Sequence, residues 1–233
     1  EPLVPDFHTI PFNRPEAIAD TISDATAAVL VEIVQGEGGV RPATEEFMQA
    51  LRLACTEHGA LLVIDEVQTG FGRTGRLFAF EHHSVTPDIL TLAKSVAGGL
   101  PMGVTAFGDT VGQLAKQSHT STFGGNPLVC AVAERVIAHI VAADLPTHAA
   151  EHGRHLMNAI RGLSKPQVRE VRGLGLMIGI ELKQPAGKVV RSLMDEGILA
   201  LLAGPKVIRL LPPLIIEASD IDQIANAFDK VLT

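Results

Sequence analysis

The chain has 233 residues, enough for a sizeable core and for one or two domains. With 46% hydrophobic residues and a mean hydropathy of +0.27, its composition is globular, not disordered. The net charge of −7 argues against nucleic acid as the main partner. No apolar run reaches the length of a bilayer span, and no basic-then-apolar leader opens the chain, so a membrane partner is not expected. Cys55 and Cys130 are too few for a disulfide framework; both sit in helix-like apolar patterns, are expected to be buried thiols, and point to a reducing, cytoplasmic location. Glu1, not Met, is the first residue, which suggests a start inside a longer protein.

Residues 1–14 read as loop, punctuated by Pro2, Pro5 and Pro11. A short helix is expected from Pro15 to about Asp24, then a buried strand over Ala27–Ile33 and a turn at Gly36-Glu-Gly-Gly39. Thr44 is a good N-cap for a helix ending at His58, with Gly59 as its stop. Leu61–Ile64, Ile89–Ala93 and Val104–Phe107 read as strands. Strand, helix, strand in this order implies parallel pairing with a crossover, and in such sheets ligands bind beyond the carboxyl ends of the strands. Asp65, Lys94 and the 36–39 loop all fall at such ends. Helices follow from Pro127 to about Ala143 and over 147–163. Strands are expected at Val168–Val171 and Leu176–Leu182 around a Gly173-Leu-Gly175 turn, then a helix near 186–196, strands near 198–202 and 207–210, and a last helix from Asp220 to Leu232. The pattern places a domain change near residue 145.

An apolar run delivers Asp65 to its end, Gln68 follows three residues on, and Lys94 closes a second apolar segment. An acid, an amide and one amine at neighbouring strand ends suit a cofactor with a ring nitrogen, a phenolic oxygen and an aldehyde, which is pyridoxal phosphate. Asp65 would favour the protonated ring, and a protonated ring withdraws electrons from a substrate carbanion. The small residues Ala93, Ser95, Ala97, Gly98 and Gly99 let a ligand come close to Lys94. A lysine desolvated in this way can condense with an aldehyde and later carry a proton. The plainer readings are a loop-anchoring Asp65 and a snorkelling Lys94. A rival reading takes Asp65-Glu66 as a Walker B acid pair on Mg²⁺, but it requires a phosphate loop of the form G-x-x-x-x-G-K-S/T, and none is present in these residues.

Five segments sharpen this. Val34-Gln-Gly-Glu-Gly-Gly39, Ile64-Asp-Glu-Val-Gln-Thr-Gly-Phe-Gly-Arg-Thr-Gly75, Asp88-Ile-Leu-Thr-Leu-Ala-Lys94, Ser121-Thr-Phe-Gly-Gly-Asn-Pro127 and Val207-Ile-Arg-Leu-Leu-Pro-Pro213 resemble, in order and spacing, the class III aminotransferases. The similarity is greatest to the acetylornithine and LysW–γ-lysine enzymes. It implies a fold-type I pyridoxal-phosphate α/β fold: residues 1–144 as the remainder of a large domain with a mainly parallel sheet, and 145–233 as a small C-terminal α/β domain. It implies transfer of an ω-amino group to 2-oxoglutarate, in a homodimer with shared sites, on small amino-acid substrates or on a small acidic carrier protein. Lys94 matches the lysine bonded to the cofactor and Asp65 the acid on its ring nitrogen. Gln68 matches the amide near its phenolic oxygen, and the segment Asp65, Glu66, Val67, Gln68 lines it. Thr122 matches the residue that reaches the phosphate in the partner subunit, and Ser121 a substrate contact. Arg209 matches the clamp on the substrate α-carboxylate, a task its planar fork suits. Glu37 matches the acid that pairs with that arginine when no second carboxylate is present.

The same resemblance places the phosphate-binding loop, the ring-stacking aromatic and the first substrate segment N-terminal to these residues. This polypeptide alone is therefore expected not to turn over. Glu32-Ile33 stands where the family often has Glu-Pro, and Ser95-Val-Ala-Gly-Gly99 departs slightly from the family's Gly-rich run. The motifs are shared with ornithine and 4-aminobutyrate enzymes, so the amino donor stays open, and a non-catalytic fragment is a further alternative. His148, His152 and His155 have metal-like helical spacing without an acid or thiol to complete a site, and His82-His83 reads as loop. Gly173-Leu-Gly-Leu-Met-Ile-Gly179 fails as a dinucleotide fingerprint because a strand, not a helix, follows it.

Overall fold

The structure, a computed structural model, describes residues 4–116 and 119–232. Pro2, within the expected opening loop, lies outside the described residues. Two four-stranded sheets organise the chain. The first contains β1 (Ala28–Glu32), β4 (Leu61–Asp65), β5 (Ile89–Leu92) and β6 (Val104–Phe107), in that order. β1, β4 and β5 run parallel, and β6 returns antiparallel to β5. A two-stranded ribbon of β2 (Val34–Gln35) and β3 (Arg41–Pro42) leads into α1 (Glu45–His58), the crossover helix between β1 and β4.

Helix α1 shows why its limits are local. The Thr44 side chain accepts from the Phe47 N–H, Glu45 and Glu46 favour the positive end, and Gly59 closes the helix in the left-handed region at φ 67°. Phe47, Met48, Leu51 and Cys55 form its buried stripe and pack on Val31, Leu62 and Ile64 of the sheet. Helices α2 (Pro127–Ala142) and α3 (Leu145–Gly162) follow.

The second sheet has the order β7 (Val168–Leu174), β8 (Met177–Leu182), β10 (Val207–Leu210), β9 (Leu201–Leu202), antiparallel throughout. Between its strands lies α4 (Gly187–Asp195), and α5 (Ala218–Val231) closes the chain. Leu156 and Ile160 of α3 and Phe228 of α5 pack with Ile178, Ile180 and Ile208 of this sheet in one core. Met177, Ala203 and Val207 pack instead with the α1 core, so the two sheets meet through shared apolar contacts.

A glycine seam runs along the same junction. A Cβ on Gly153 of α3 would lie 1.9 Å from the Gly175 carbonyl oxygen, and one on Gly75 would lie 2.9 Å from the Ala150 Cβ. Arg73 spans the seam. Its Nη1 donates to the carbonyls of Leu176 and Pro212, and its own carbonyl accepts from the Leu176 N–H. Burial pulls its pKa down to about 10, because removal from water penalises the charged form.

Some expectations are corrected. The helix expected over Pro15–Asp24 is a single 3-10 turn, Pro15–Ala17. The Thr21 hydroxyl donates to the Ala17 carbonyl and competes with a helical ladder, while Ile18 and Ile22 still bury. The strand expected near 198–202 shortens to two residues, with Leu199 exposed. Cys130 is exposed, not buried, because the outer face of α2 is open; Leu128 and Val141 are exposed on the same helix. Strand β1 is not wholly buried, since Leu30 is 67% exposed. Among the described residues, no helix is long and apolar enough to cross a membrane.

Candidate active site

The carboxyl ends of the parallel strands carry a polar row. Glu32 of β1 stands opposite Asp65 of β4, and Asp65 stands opposite Thr91 of β5. Asp65 is half-buried. Its Oδ1 accepts from the Val67 N–H at 2.8 Å and from the Thr91 hydroxyl at 3.2 Å. Both bonds go to one oxygen and hold the carboxylate at the strand end. Glu32 Oε2 accepts from the Gly36 N–H at 3.0 Å and so pins the start of the 36–40 loop.

That loop brings Glu37 to Arg209. Arg209 Nη1 donates to Glu37 Oε1 at 2.6 Å and to Gln68 Oε1 at 3.2 Å. Arg209 is only 6% exposed, whereas the Glu37 side chain is 73% exposed. The asymmetry defines the chemistry. A buried guanidinium is costly unless paired, and its Nε is buried without a hydrogen-bond partner. The buried guanidinium therefore favours an anion, and the acid that meets it is a side chain largely open to solvent. Gly36 lies tight against the Gln68 amide; a Cβ there would approach Gln68 Nε2 to 2.6 Å.

Glu66 is turned away from this cluster. It is buried, and its carboxylate accepts from the Thr69 hydroxyl and from the Phe80 N–H at 2.9 Å, bracing the loop from 66 to 80. Burial pushes its carboxyl above the usual range, and the bonds from Thr69, Ala79 and Phe80 offset this only in part. Lys94 follows β5 with φ 49° at the start of a 3-10 turn, Lys94–Ala97. A non-glycine residue held left-handed at a strand end is a strained placement of the kind found at functional sites. Its side chain is exposed, so this chain alone does not supply the desolvation expected of it. Ser121 and Thr122 lie in an exposed loop before α2. Ser121 Oγ accepts from the Gly124 N–H, which is a turn contact, and no bond links either residue to Asp65, Gln68 or Arg209.

The fold thus brings Glu37, Gln68 and Arg209 into contact and fixes Asp65 beside Thr91. It leaves Lys94, Ser121 and Thr122 open, and places the Glu66 side chain in a loop interior. Sequence reasoning passed over Glu32 and Thr91, whose signal was their position opposite Asp65. It also passed over Arg172, whose guanidinium grips the 36–40 loop. The donor set fits pyridoxal phosphate: a held carboxylate for the ring N–H, an amide for the phenolic oxygen and an exposed amine for the aldehyde. Among the described residues, no group of three His, Cys, Asp or Glu could hold a metal ion. His148 and His152 stack on each other at 3.8 Å. A surface groove of about 750 Å³ runs along α2 beside Leu128, Val132 and Leu214.

A mainly parallel sheet with an acid and a lysine at its strand ends, followed by a small antiparallel sheet with a buried arginine, defines an aminotransferase fold. Residues 8–232 match the class-III aminotransferase family, and the chain belongs to it. It is 48% identical to an acetylornithine aminotransferase of Gloeobacter violaceus, over 99% of this chain and 58% of that protein. It is 44% identical to a [LysW]-aminoadipate semialdehyde transaminase of Deinococcus radiodurans, over 97% of this chain and 53% of that protein. Among solved structures, the ornithine aminotransferase of Toxoplasma gondii superposes with a TM-score of 0.94 at 33% identity, covering 100% of this chain and 57% of that one. An acetylornithine aminotransferase of Elizabethkingia anophelis gives 0.92 at 33% identity, over 98% of this chain and 63% of that one. The chain therefore spans little more than half the length of these relatives.

Proposed function

We propose that this chain is the cofactor- and substrate-binding portion of a pyridoxal-phosphate-dependent aminotransferase that moves an ω-amino group between an N-acylated diamino acid, or a carrier-linked lysine, and 2-oxoglutarate. The observation that carries the reading is the 2.6 Å pair of Glu37 with the buried Arg209, whose Nη1 also donates to Gln68, three residues beyond Asp65. When bound, the cofactor supplies an electron sink for the carbanion at the reacting carbon. Asp65 would hold a proton at the ring nitrogen, Gln68 would orient the phenolic oxygen, and Lys94 would hold the cofactor at its aldehyde group and carry a proton at the substrate's reacting carbon. Arg209 clamps the carboxylate of glutamate after Glu37 withdraws, and pairs with Glu37 when the donor offers none there. The pair thus lets one pocket serve two substrates in a ping-pong cycle.

The names of the acetylornithine and LysW-linked relatives support arginine or lysine biosynthesis as the setting. The two sheets support reading 1–144 and 145–233 as the large-domain portion and the small domain. We take the whole protein to be a cytoplasmic homodimer in which Thr122 reaches the phosphate in the partner subunit. The 233-residue chain alone is expected to be inactive. In the full-length protein, Lys94→Ala should abolish turnover and the borohydride-trappable attachment of cofactor; an attachment that survives at this level refutes the assignment.

A further inference from the structure

In the small sheet, Arg172 of β7 stands opposite Gly179 of β8, and Gly179 stands opposite Arg209 of β10. Directly opposed residues of antiparallel strands face the same side. Two guanidiniums therefore flank a bare glycine on one face, and the 36–40 loop lies across the row. Arg209 takes the Glu37 carboxylate at one end. At the other, Arg172 Nε donates to the carbonyls of Gly39 and Val40 at 3.0 Å each, and Nη2 donates to Gly39 at 2.6 Å. The missing side chain of Gly179 makes room between them, because a Cβ there would come within 2.8 Å of the Val40 Cβ.

The loop needs this grip. Val40 is fully buried at φ 51°, a region that β-branched residues strongly avoid, and Gly39 is at φ 103°. Such a conformation persists only where its surroundings hold it. Arg172 is itself fixed: Nη1 donates to Glu170 at 2.6 Å and to the buried Glu181 at 2.7 Å. The Arg172 hydrogen bond is the main reason the Glu181 carboxyl lies below its ordinary range, against the effect of burial; Arg41 and Arg169 add to it.

We propose that Arg172 is a positioning residue for substrate discrimination, setting through the Gly39 and Val40 carbonyls where Glu37 meets Arg209. It rests on the reading of that pair given above. Without the grip, Glu37 no longer neutralises Arg209 when the donor lacks a carboxylate at that point. Glutamate, which supplies its own, is little affected. The defect falls on one half-reaction.

The experiment is single-turnover kinetics of the two half-reactions in the full-length enzyme, with acetylornithine and with glutamate. Arg172→Gln should lower kcat/KM for acetylornithine by roughly 10-fold to 100-fold, the scale of a small misplacement at a site, and leave the glutamate half-reaction nearly unchanged. In a Glu37→Gln background the same substitution should alter the ratio of the two by less than about twofold. Arg172→Lys, which reaches one carbonyl without a fork, should fall between. Gly179→Ala, which presses on Val40 without removing a charge, should shift the ratio in the same direction and serves if Arg172→Gln does not fold. Equal losses in both half-reactions, or an undiminished effect in the Glu37→Gln background, overturn the proposal. If Glu37→Gln alone leaves the ratio unchanged, the switch itself is refuted, and the proposal with it.

Discussion

The two ends of the candidate site are built differently. At the substrate end, Arg209 bonds Glu37 and Gln68, Arg172 holds the carbonyls of the same 36–40 loop, and both arginines are buried. At the cofactor end, Lys94, Ser121 and Thr122 are exposed and bonded to little beyond their own turns. The contrast teaches that a loop tied to a sheet row holds its side chains in place, whereas the loops at the cofactor end leave theirs open. The substrate end should therefore break from a distance, and the open end should be changeable without cost to folding.

The largest effect is expected at the seam behind the substrate end. Gly153→Ala places a Cβ 1.9 Å from the Gly175 carbonyl oxygen, and neither backbone can yield easily. A loss of roughly 3 kcal/mol or more is expected in urea unfolding, at or above the usual cost of overpacking. A variant within about 0.5 kcal/mol of the parent would show that the seam is soft.

A middle effect is expected at the strand that delivers Lys94. Asp88, at the start of that segment, accepts from Arg52 at 2.7 Å, from the Leu62 N–H at 2.8 Å and from the Thr110 hydroxyl at 2.8 Å. Burial alone would raise its carboxyl, but these donors outweigh it and hold it below the ordinary range. A depressed folded pKa gives stability that is present above the unfolded value, about 3.9 for Asp, and is lost as pH falls through the folded value. Asp88→Asn should cost about 1–3 kcal/mol at neutral pH and flatten the acid limb of the stability curve. An unchanged acid limb would mean that other carboxylates set it.

The smallest effect is expected at the open end. Thr122→Val should change unfolding by less than about 0.5 kcal/mol, since the side chain is exposed and bonded to nothing among the described residues. Any marked loss of stability would show that this loop is tied down after all.

Much of this was legible in the sequence where the signals are local. Thr44 and Gly59 bracket α1 as expected, and Val207–Leu210 and Val104–Phe107 are strands to the residue, because caps and apolar runs act over a few positions. The antiparallel turn of β6 was not legible, since strand direction depends on the connection and not on the strand. Asp65 and Lys94 stood out in the sequence by their place at strand ends, and Glu37 and Arg209 by a resemblance in motif; the contact of the latter two spans 172 positions. Arg172 was missed because it works on backbone carbonyls, which leave no mark in a side-chain pattern. The division between Asp65 and Glu66 was not legible for a related reason: neighbours in sequence at a strand end face opposite ways, and the Glu66 acid braces a loop while that of Asp65 is held at the strand end.

The glycine seam has a consequence for anyone wishing to recombine such proteins. Gly75 is separated from Gly153 and Gly175 by β5, β6 and α2, yet Gly175 meets the backbone on both sides, at Arg73–Gly75 and at Gly153, with little room to absorb a mismatch. A chimera that takes its C-terminal half from a relative inherits a fit cut for a particular loop in the other half. The workable unit of exchange is therefore the small sheet together with the stretch from Gly72 to Gly75, not the small sheet alone.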